Sequence, residues 1–126
     1  MTKVAMIRCE KNLDRCPLTG CFTCLSAKKE GFAGYDDTML AGLFTCHCPG
    51  DDVENLAKIL KSKGAEAIHF CTCTFAKKTE NGWSREDGGF RDHINDIIER
   101  VHKATGLPCV KGTAHLPEGY TPETWG

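Results

Sequence analysis

Cysteine dominates the residues of this sequence that can do chemistry, with nine copies among 126 residues. Its thiolate form is a nucleophile and a ligand for soft metal ions. The stretch LFTCHCPGDD, residues 43–52, sets Cys46, His47 and Cys48 directly after an apolar segment and before a Pro-Gly turn. A strand interior has no room for a metal held by thiolates, whereas a strand end with a turn does. We therefore interpret this stretch as a strand that ends in a thiolate-rich site.

A secreted scaffold stapled by disulfides is the first alternative for a chain so rich in cysteine. The N-terminal stretch MTKVAMIRCE is too short in its apolar part for a signal peptide. Nine is also an odd number, so at least one cysteine would be left without a disulfide partner. We therefore expect a reduced, cytoplasmic protein, in which such cysteines more often bind metal or do redox chemistry.

The charged residues nearly balance, with sixteen Lys and Arg against seventeen Asp and Glu and a formal net charge of -1. This balance provides no broad basic surface for nucleic acid or for an anionic membrane. No apolar run approaches the roughly 18 residues that a membrane helix needs. We expect neither nucleic acid nor a membrane as a partner, and the partner that the composition indicates is a metal ion.

Strand and helix patterns alternate along the chain. Apolar runs typical of buried strands lie at residues 3–7, 38–44, 65–70 and, more weakly, 107–113. Helical patterns lie between them, at residues 21–29, 53–60 and 90–101. This alternation predicts one α/β domain over residues 1–126, a three-layer flavodoxin-like or Rossmann-like fold with about four parallel strands and helices on both faces. Residues 77–89 are expected to form a polar loop, and residues 116–126 a C-terminal tail.

The cysteines cluster at predicted strand ends, and the carboxyl ends of parallel strands share the edge where ligands bind. Cys16, Cys21 and His115 lie in the segments after the first and fourth strands and are secondary candidate ligands. Cys109 lies at the opposite end of its strand, so we expect an ordinary buried cysteine there. The strongest candidate metal ligands follow or finish the first three strands, and they are Cys9, Cys46, Cys48, Cys71 and Cys73.

Two kinds of metal centre suit such a set of ligands. Zinc takes four ligands, usually thiolate and imidazole, and iron–sulfur clusters take four thiolates. Zinc is slightly favoured, because the sequence has no cluster fingerprint such as C-x2-C-x2-C. Among the other histidines, His47 is a weak candidate ligand, and His69, His93 and His102 are expected to be structural or surface residues.

A thiol–disulfide redox enzyme or redox sensor is the alternative from another class. The motif CFTC, residues 21–24, is the single C-x-x-C in the chain and lies near a predicted helix start. A helix N-terminus stabilises a thiolate and so lowers the pKa of a cysteine placed there. A phosphate-handling protein is less favoured, because no P-loop or G-x-G-x-x-G is present and Asp51 and Asp52 would repel an anion.

Several motifs in order, namely IRC, EGFAGY, AGLFTCHCPG, AIHFCTC and GTAH, resemble those of the CGGC-domain family of small bacterial and archaeal proteins. The resemblance covers nearly the whole chain. It implies a flavodoxin-like α/β domain with a metal site, zinc being the expected metal, and it supplies no established reaction. If the Pro-Gly turns are aligned, Cys48 takes the place of the last cysteine of the family motif and Thr45 the place of the first.

Overall fold

The structure, a computed structural model, describes residues 2–10, 16–47, 51–79, 82–84 and 93–126. Cys48, one of the strongest predicted ligands, and Phe90, in the last predicted helix, lie outside these residues. The elements in chain order are strand β1 (Thr2–Cys9), helix α1 (Thr19–Ala27), β2 (Thr38–Cys46), α2 (Val53–Ser62), β3 (Ala67–Phe70), β4 (Lys77–Thr79), β5 (Gly82–Ser84), α3 (Ile94–Thr105), β6 (Cys109–Lys111) and β7 (Glu123–Trp125).

Within the part of the chain that the structure describes, the main sheet has five strands in the order β2-β1-β3-β6-β7. β1 pairs in parallel with both β2 and β3, and β6 continues the parallel set beside β3. β7 adds an antiparallel strand on the far side of β6. The predicted α/β class is confirmed. About four parallel strands were expected, and the described sheet has four parallel strands and an antiparallel fifth. The extra strand has only three residues, too few for a period-two pattern to stand out in the sequence.

Side chains of β1 alternate between two cores, because successive strand residues point to opposite faces of a sheet. Ala5 and Ile7 enter a cluster with the buried residues of α2 and α3. Val4 and Met6 enter a second cluster with the buried residues of α1. Helices therefore cover both faces of the sheet. The strand order is consistent with right-handed crossovers, since the chain moves one way from β1 to β2 and returns past β1 to reach β3.

Two segments differ from the sequence-based expectation. Part of the expected polar loop at 77–89 forms a separate antiparallel hairpin of β4 and β5, in which Lys77 pairs with Ser84. The expected C-terminal tail contains β7. None of the helices in the described ranges is long and apolar enough to cross a membrane.

Candidate functional site

The carboxyl edge of the sheet collects four of the predicted cysteines. Cys9 and Cys46 are the last residues of β1 and β2, and they are register partners. Cys71 and Cys73 follow β3 directly, the latter inside a short 3-10 turn. In the strand order, β2 lies on one side of β1 and β3 lies on the other. The chain therefore leaves β1 toward one side of the sheet and leaves β3 toward the other. In α/β sheets, the ligand crevice forms between two neighbouring strands that are connected in this way.

The same cysteines divide between the two faces of the sheet. Cys71 lies in the α1-side core together with Cys21 and Cys24 of α1. Cys46 lies in the core formed with α2 and α3. Its register partner Cys9 points to that same face, since paired residues of neighbouring strands share a face.

Two half-buried cysteines border the α1 side of the edge. Cys16 and Cys73 both pack against the α1-side core. The Sγ of Cys73 accepts a hydrogen bond of 3.4 Å from the backbone N–H of Cys9. Cys73 thus connects the end of β1 to the segment that follows β3.

Cys21, in the first turn of α1, lies in the same core cluster as Cys71. The two side chains are hydrogen-bonded to each other. Thr113, just after β6, lies against the same sulfur, with its Oγ1 3.2 Å from the Sγ of Cys21. The backbone N–H of Thr72 donates to Thr113 Oγ1 at 3.2 Å, so the oxygen accepts there and its own proton is available for Cys21.

These contacts make Cys21 unusually acidic. Its pKa is lowered from 9.0 to about 6, chiefly by the hydrogen bond from Cys71 and further by Thr113, the backbone of Ala114 and the positive charge of Arg8, against an opposing effect of burial. The pKa of Cys71 is instead raised well above 9.0, by its bond to Cys21 and by its burial. Within the pair, Cys21 is therefore the more acidic thiol and Cys71 the less acidic one.

The segment 112–114, which supplies two of these donors, is held from two sides. The backbone N–H of Gly31 donates to the carbonyl of Thr113 at 2.8 Å. A side chain at Gly31 would collide with the backbone of Gly112, so glycine allows this close approach. On the other side, Nδ1 of the buried His69 lies 3.0 Å from the carbonyl oxygen of Gly112.

His69 is a neutral structural residue. Burial lowers its pKa from 6.5 to about 4. Because the carbonyl of Gly112 can only accept, Nδ1 carries the proton, and the hydroxyl of Tyr35 donates to Nε2 at 2.8 Å. The ring also stacks on Phe32, with 4.4 Å between the centroids. His69 thus ties segment 112–114 to the interior of the α1 side.

The two histidines that the sequence associated with the site lie at the surface. His115 is exposed, and its ring lies against the first turn of α1, where a Cβ on Gly20 would come within 2.7 Å of Nε2. His47 is exposed, and its Nδ1 lies 2.8 Å from a carboxylate oxygen of Glu10. That hydrogen bond raises the pKa of His47. His115 is thus brought to the helix turn that carries Cys21, whereas His47 pairs with Glu10.

Comparison with known proteins assigns the chain to a family. Residues 3–114 match the family model of the CGGC domain. The chain belongs to the CGGC-domain family. The resemblance drawn from the ordered motifs is therefore confirmed.

An uncharacterized protein of Methanocaldococcus jannaschii is similar to this CGGC-domain protein. The two are 40% identical over 123 residues, which cover 90% of this chain and 88% of the relative. No solved structure matches the chain.

The CGGC-domain protein brings together only part of the predicted ligand set. Its Cys21 and Cys71 meet, with Cys16, Cys73 and His115 bordering them, whereas Cys9 and Cys46 point to the other face. Within the described ranges, no group of three or more His, Cys, Asp or Glu side chains is arranged to hold a metal ion.

Cys109 lies at the start of β6, in the core formed with α2 and α3. Burial raises the pKa of its thiol to about 12. It is therefore a buried, protonated thiol away from the carboxyl edge. Cys24, one turn after Cys21, also has a raised pKa, because of burial and the nearby charge of Glu30.

Two residues of the thiolate site were missed by the sequence analysis. Arg8 lies one position before the end of β1 and is buried on the α1 side. Thr113 lies just beyond β6, at the same edge as the cysteines. Both lie at or just after the carboxyl end of a strand, as the cysteines do. Arginine and threonine are not metal-ligand types, so a search for ligands in the sequence does not find residues that act on a ligand.

Proposed function

We propose that this CGGC-domain protein binds a metal ion through thiolates gathered at the carboxyl edge of its sheet. Membership of the CGGC family and the nine cysteines of the chain support a metal-binding role. The observation that carries the proposal is the position of Cys9, Cys46, Cys71 and Cys73 at one edge of the sheet, with Cys21 of α1, whose pKa is lowered to about 6, packed in the same core as Cys71. The thiolate is the form of cysteine that binds metal, so the low pKa of Cys21 favours binding.

The donor chemistry at this edge fits a soft or borderline metal ion. Cys21 and Cys71 are in contact, and the charge of Cys73 lies close enough to raise the pKa of Cys71. A tetrahedral centre needs four ligands, more than the described residues assemble. We propose that Cys48, outside the described residues, completes a set with Cys21, Cys71 and Cys73. Cys16 and His115 are the alternative donors on that side, and Cys9 and Cys46, whose side chains point to the other face, are the least favoured of the predicted ligands.

Zinc is the metal that we favour, and an iron–sulfur cluster is the alternative. Sulfur ligation suits both. The absence of a cluster fingerprint from the sequence favours zinc. Bound zinc would supply structural cross-linking, or Lewis acidity if a coordination position stays open.

We also infer a flavodoxin-like arrangement and a reducing, cytoplasmic location. The strand order β2-β1-β3-β6 supports the first, because it places a switch point between β1 and β3. The second is supported by the cysteines of the described residues, all of which are free thiols.

Metal content of matched cysteine variants tests the proposal. Protein purified without air should contain about one zinc per chain, without colour and without acid-labile sulfide. Cys48→Ser and Cys21→Ser should lose most of this metal, and Cys109→Ser, the matched control from the opposite face, should keep it. Equal metal content in all three variants would exclude the proposed ligands. Iron with sulfide would replace zinc by a cluster, and metal-free wild-type protein would refute metal binding.

A further inference from the structure

The large apolar side chains that remain exposed in the described parts of the chain lie along one edge of the molecule. They are Phe22 of α1, Met39 of β2 and Ile59 of α2, which are 38%, 49% and 44% exposed. β2 is the end strand of the main sheet on this side. We propose that this edge is a dimer interface, in which β2 and its two flanking helices contact the same surface of a second copy of this chain. This inference goes beyond metal binding and does not rest on it.

The contacts of α2 show that Ile59 points toward the outer edge of β2. Glu54 forms an ion pair with an arginine of α3 at 3.4 Å, and Nζ of Lys61 donates to a carbonyl at the end of α3 at 2.6 Å. One flank of α2 therefore faces α3. Each residue turns the helix by about 100°, so Ile59 lies on the opposite flank. Since α2 packs on β2, where a Cβ on Gly42 would come within 3.0 Å of Leu60, this opposite flank faces the outside of the sheet.

The contacts of α1 place Phe22 at the same edge, on the other face of the sheet. Gly20 lies on the flank of α1 that contacts His115, which follows β6. Phe22 comes two residues later, about 200° around the helix, so it lies on the flank that faces away from β6. β2 is the strand on that side, and the Oγ1 of Thr38 at its start donates to the carbonyl of Leu25 in α1 at 2.7 Å. Phe22 and Ile59 thus flank the outer edge of β2 from both faces.

The sequence of β2 leaves this edge open to pairing with another chain. Edge strands are usually short, or carry charges or proline that discourage such pairing. β2 has nine residues, TMLAGLFTC, and none of them is charged or proline. By contrast, β7 at the opposite edge has three residues and carries the charged Glu123.

A bulge in β2 determines where a second chain can pair with it. The register with β1 shifts at this point, since Val4 pairs with Leu40 and Ala5 pairs with Gly42. A bulge disrupts the regular edge locally. The segment Gly42–Cys46 beyond it is in regular register with β1. We therefore expect the backbone hydrogen bonds between the two copies to form along this segment.

Charge and size indicate a second copy of this chain as the partner. A two-fold interface sets a surface against the same surface of the other copy, so a patch of one charge would repel itself. The surface formed by β2, Phe22 and Ile59 has no charged side chain among these residues and is therefore compatible with itself. Nine strand residues span roughly 30 Å, and a sheet with a helix on each face is about 30 Å thick. The resulting area of about 900 Å² is comparable with the roughly 800 Å² per partner of a stable interface.

A two-fold axis perpendicular to the sheet makes the two β2 strands antiparallel and joins the sheets edge to edge. The axis keeps each face of the sheet on its own side, so α1 lies beside the second α1 and α2 beside the second α2. β2 then forms the centre of the interface. Phe22 and Ile59 lie in its outer parts, where truncation of a side chain usually costs little and an added charge costs more.

The mass of the reduced protein in solution tests the inference. Light scattering after size-exclusion chromatography should give about twice 13.8 kDa, with a thiol reductant present to prevent intermolecular disulfides. Met39→Lys adds a charge that loses water at the interface, and it should raise the dissociation constant of the dimer at least about tenfold. The double variant Met39→Lys, Ile59→Lys should be a monomer. Thr124→Lys is the matched control, because it adds the same charge to the exposed side of β7, and it should dimerise like the wild type.

Hydrogen exchange locates the contact within the dimer. Peptides that cover Gly42–Cys46 should exchange more slowly at millimolar than at micromolar protein concentration, because dimerisation buries their outward-facing backbone amides. Peptides of β7 should exchange equally at both concentrations. Slower exchange of β7 and unchanged exchange of β2 would assign the interface to the opposite edge and overturn the inference.

Other results would also overturn it. A wild-type protein that is a monomer at both concentrations would do so, and so would a dimer that Thr124→Lys dissociates and Met39→Lys leaves intact. A dimer that a chelator dissociates and Met39→Lys leaves intact would be bridged by metal instead. Circular dichroism checks that each variant is folded, and Ile59→Lys alone replaces Met39→Lys if that variant is not. Metal content is measured on the same samples, so a zinc-bound monomer would refute the dimer and leave metal binding intact.

Discussion

The two faces of the central sheet treat cysteine in opposite ways. On the α1 face, Cys21 has a pKa lowered to about 6 by surrounding hydrogen-bond donors and by a positive charge. On the face covered by α2 and α3, Cys109 has a pKa raised to about 12 by burial alone. The two residues belong to the same chain and are both buried, so burial by itself does not decide the reactivity of a thiol. The polar neighbours decide it.

The composition of the two cores explains this difference. The α2–α3 face is packed mainly with aliphatic side chains, among them Ile97, Ile98 and Val101. The α1 face adds polar groups to its apolar core, including Arg8, His69 and Thr113, which are buried and engaged in specific contacts. The α2–α3 face also buries Lys111, which contacts Asn95 and Glu123, whereas the α1 face places hydrogen-bond donors and a positive charge beside Cys21. We therefore expect mutations on the α2–α3 face to change mainly the free energy of unfolding, and mutations beside Cys21 on the α1 face to change the reactivity of its thiol.

Removing a large side chain from the α2–α3 face should have the largest effect on stability. Ile98 is 0% exposed, so Ile98→Ala should lower the free energy of unfolding by about 2–5 kcal/mol through lost burial and a new cavity. Ile59→Ala is the matched control, since Ile59 of α2 is 44% exposed and its truncation should cost less than about 1 kcal/mol. Urea unfolding of both variants measures the difference. If Ile98→Ala also changed the alkylation rate of Cys21 under native conditions, the faces would not be independent.

Acid should weaken the α1 face through His69. Its pKa is about 4 in the folded protein against 6.5 ordinarily, so the unfolded chain takes up this proton first as the pH falls. The stability from neutral His69 is therefore complete above pH 6.5 and is lost as the pH falls through about 4, by roughly 3 kcal/mol in total.

Urea unfolding between pH 7 and pH 4 checks this for the wild type and for His69→Gln. The variant is expected to be less stable at pH 7, since it loses ring stacking, but its stability should fall less steeply with pH. Parallel pH profiles for the two proteins would show that His69 does not titrate in this way.

The position of the cysteines at the carboxyl edge followed from local patterns in the sequence, and the pairing among them did not. Apolar runs and helical stripes mark strands and helices, and parallel strands bring their carboxyl ends together, which put Cys9, Cys46 and Cys71 at one edge. Each of these side chains points to one of the two faces of the sheet, and the face depends on the exact residue at which its strand ends. A shift of the strand by one residue would move the side chain to the opposite face. The sequence therefore could not predict that Cys46 and Cys71 lie on opposite faces of the sheet.

The contact between Cys21 and Cys71 depends on packing that no local pattern encodes. It forms because α1 packs on the α1-side core, which contains Cys71. The position of Thr113 against Cys21 depends in turn on Gly31, which lets segment 112–114 approach closely. These relations join residues that are far apart in sequence. The C-x-x-C motif indicated that Cys21 would be reactive, but the adjacent Cys24 was the partner that the local pattern offered.

The smallest expected effect, and the most specific to the α1 face, follows from removing one hydroxyl. Thr113→Val keeps the shape of the side chain but takes a donor from Cys21 and an acceptor from the backbone N–H of Thr72. The pKa of Cys21 should rise from about 6 toward its ordinary 9.0. The free energy of unfolding should fall by roughly 1–3 kcal/mol. Thr113→Ser retains the hydroxyl and should behave like the wild type in both respects.

The loss of unfolding free energy in Thr113→Val has two parts, the lost hydrogen bond to ionised Cys21 and the lost acceptor for the Thr72 N–H, and their pH dependence separates them. Ionised Cys21 has a lower pKa in the folded than in the unfolded protein, so its contribution is complete above pH 9.0 and disappears as the pH falls through about 6. The cost of the orphaned Thr72 N–H remains at every pH. Alkylation of Cys21 by iodoacetamide, followed across pH with the Cys109 peptide as an internal unreactive standard, gives the midpoint directly. A midpoint that stays near 6 in Thr113→Val would mean that Cys71 and Arg8 maintain the thiolate without the hydroxyl.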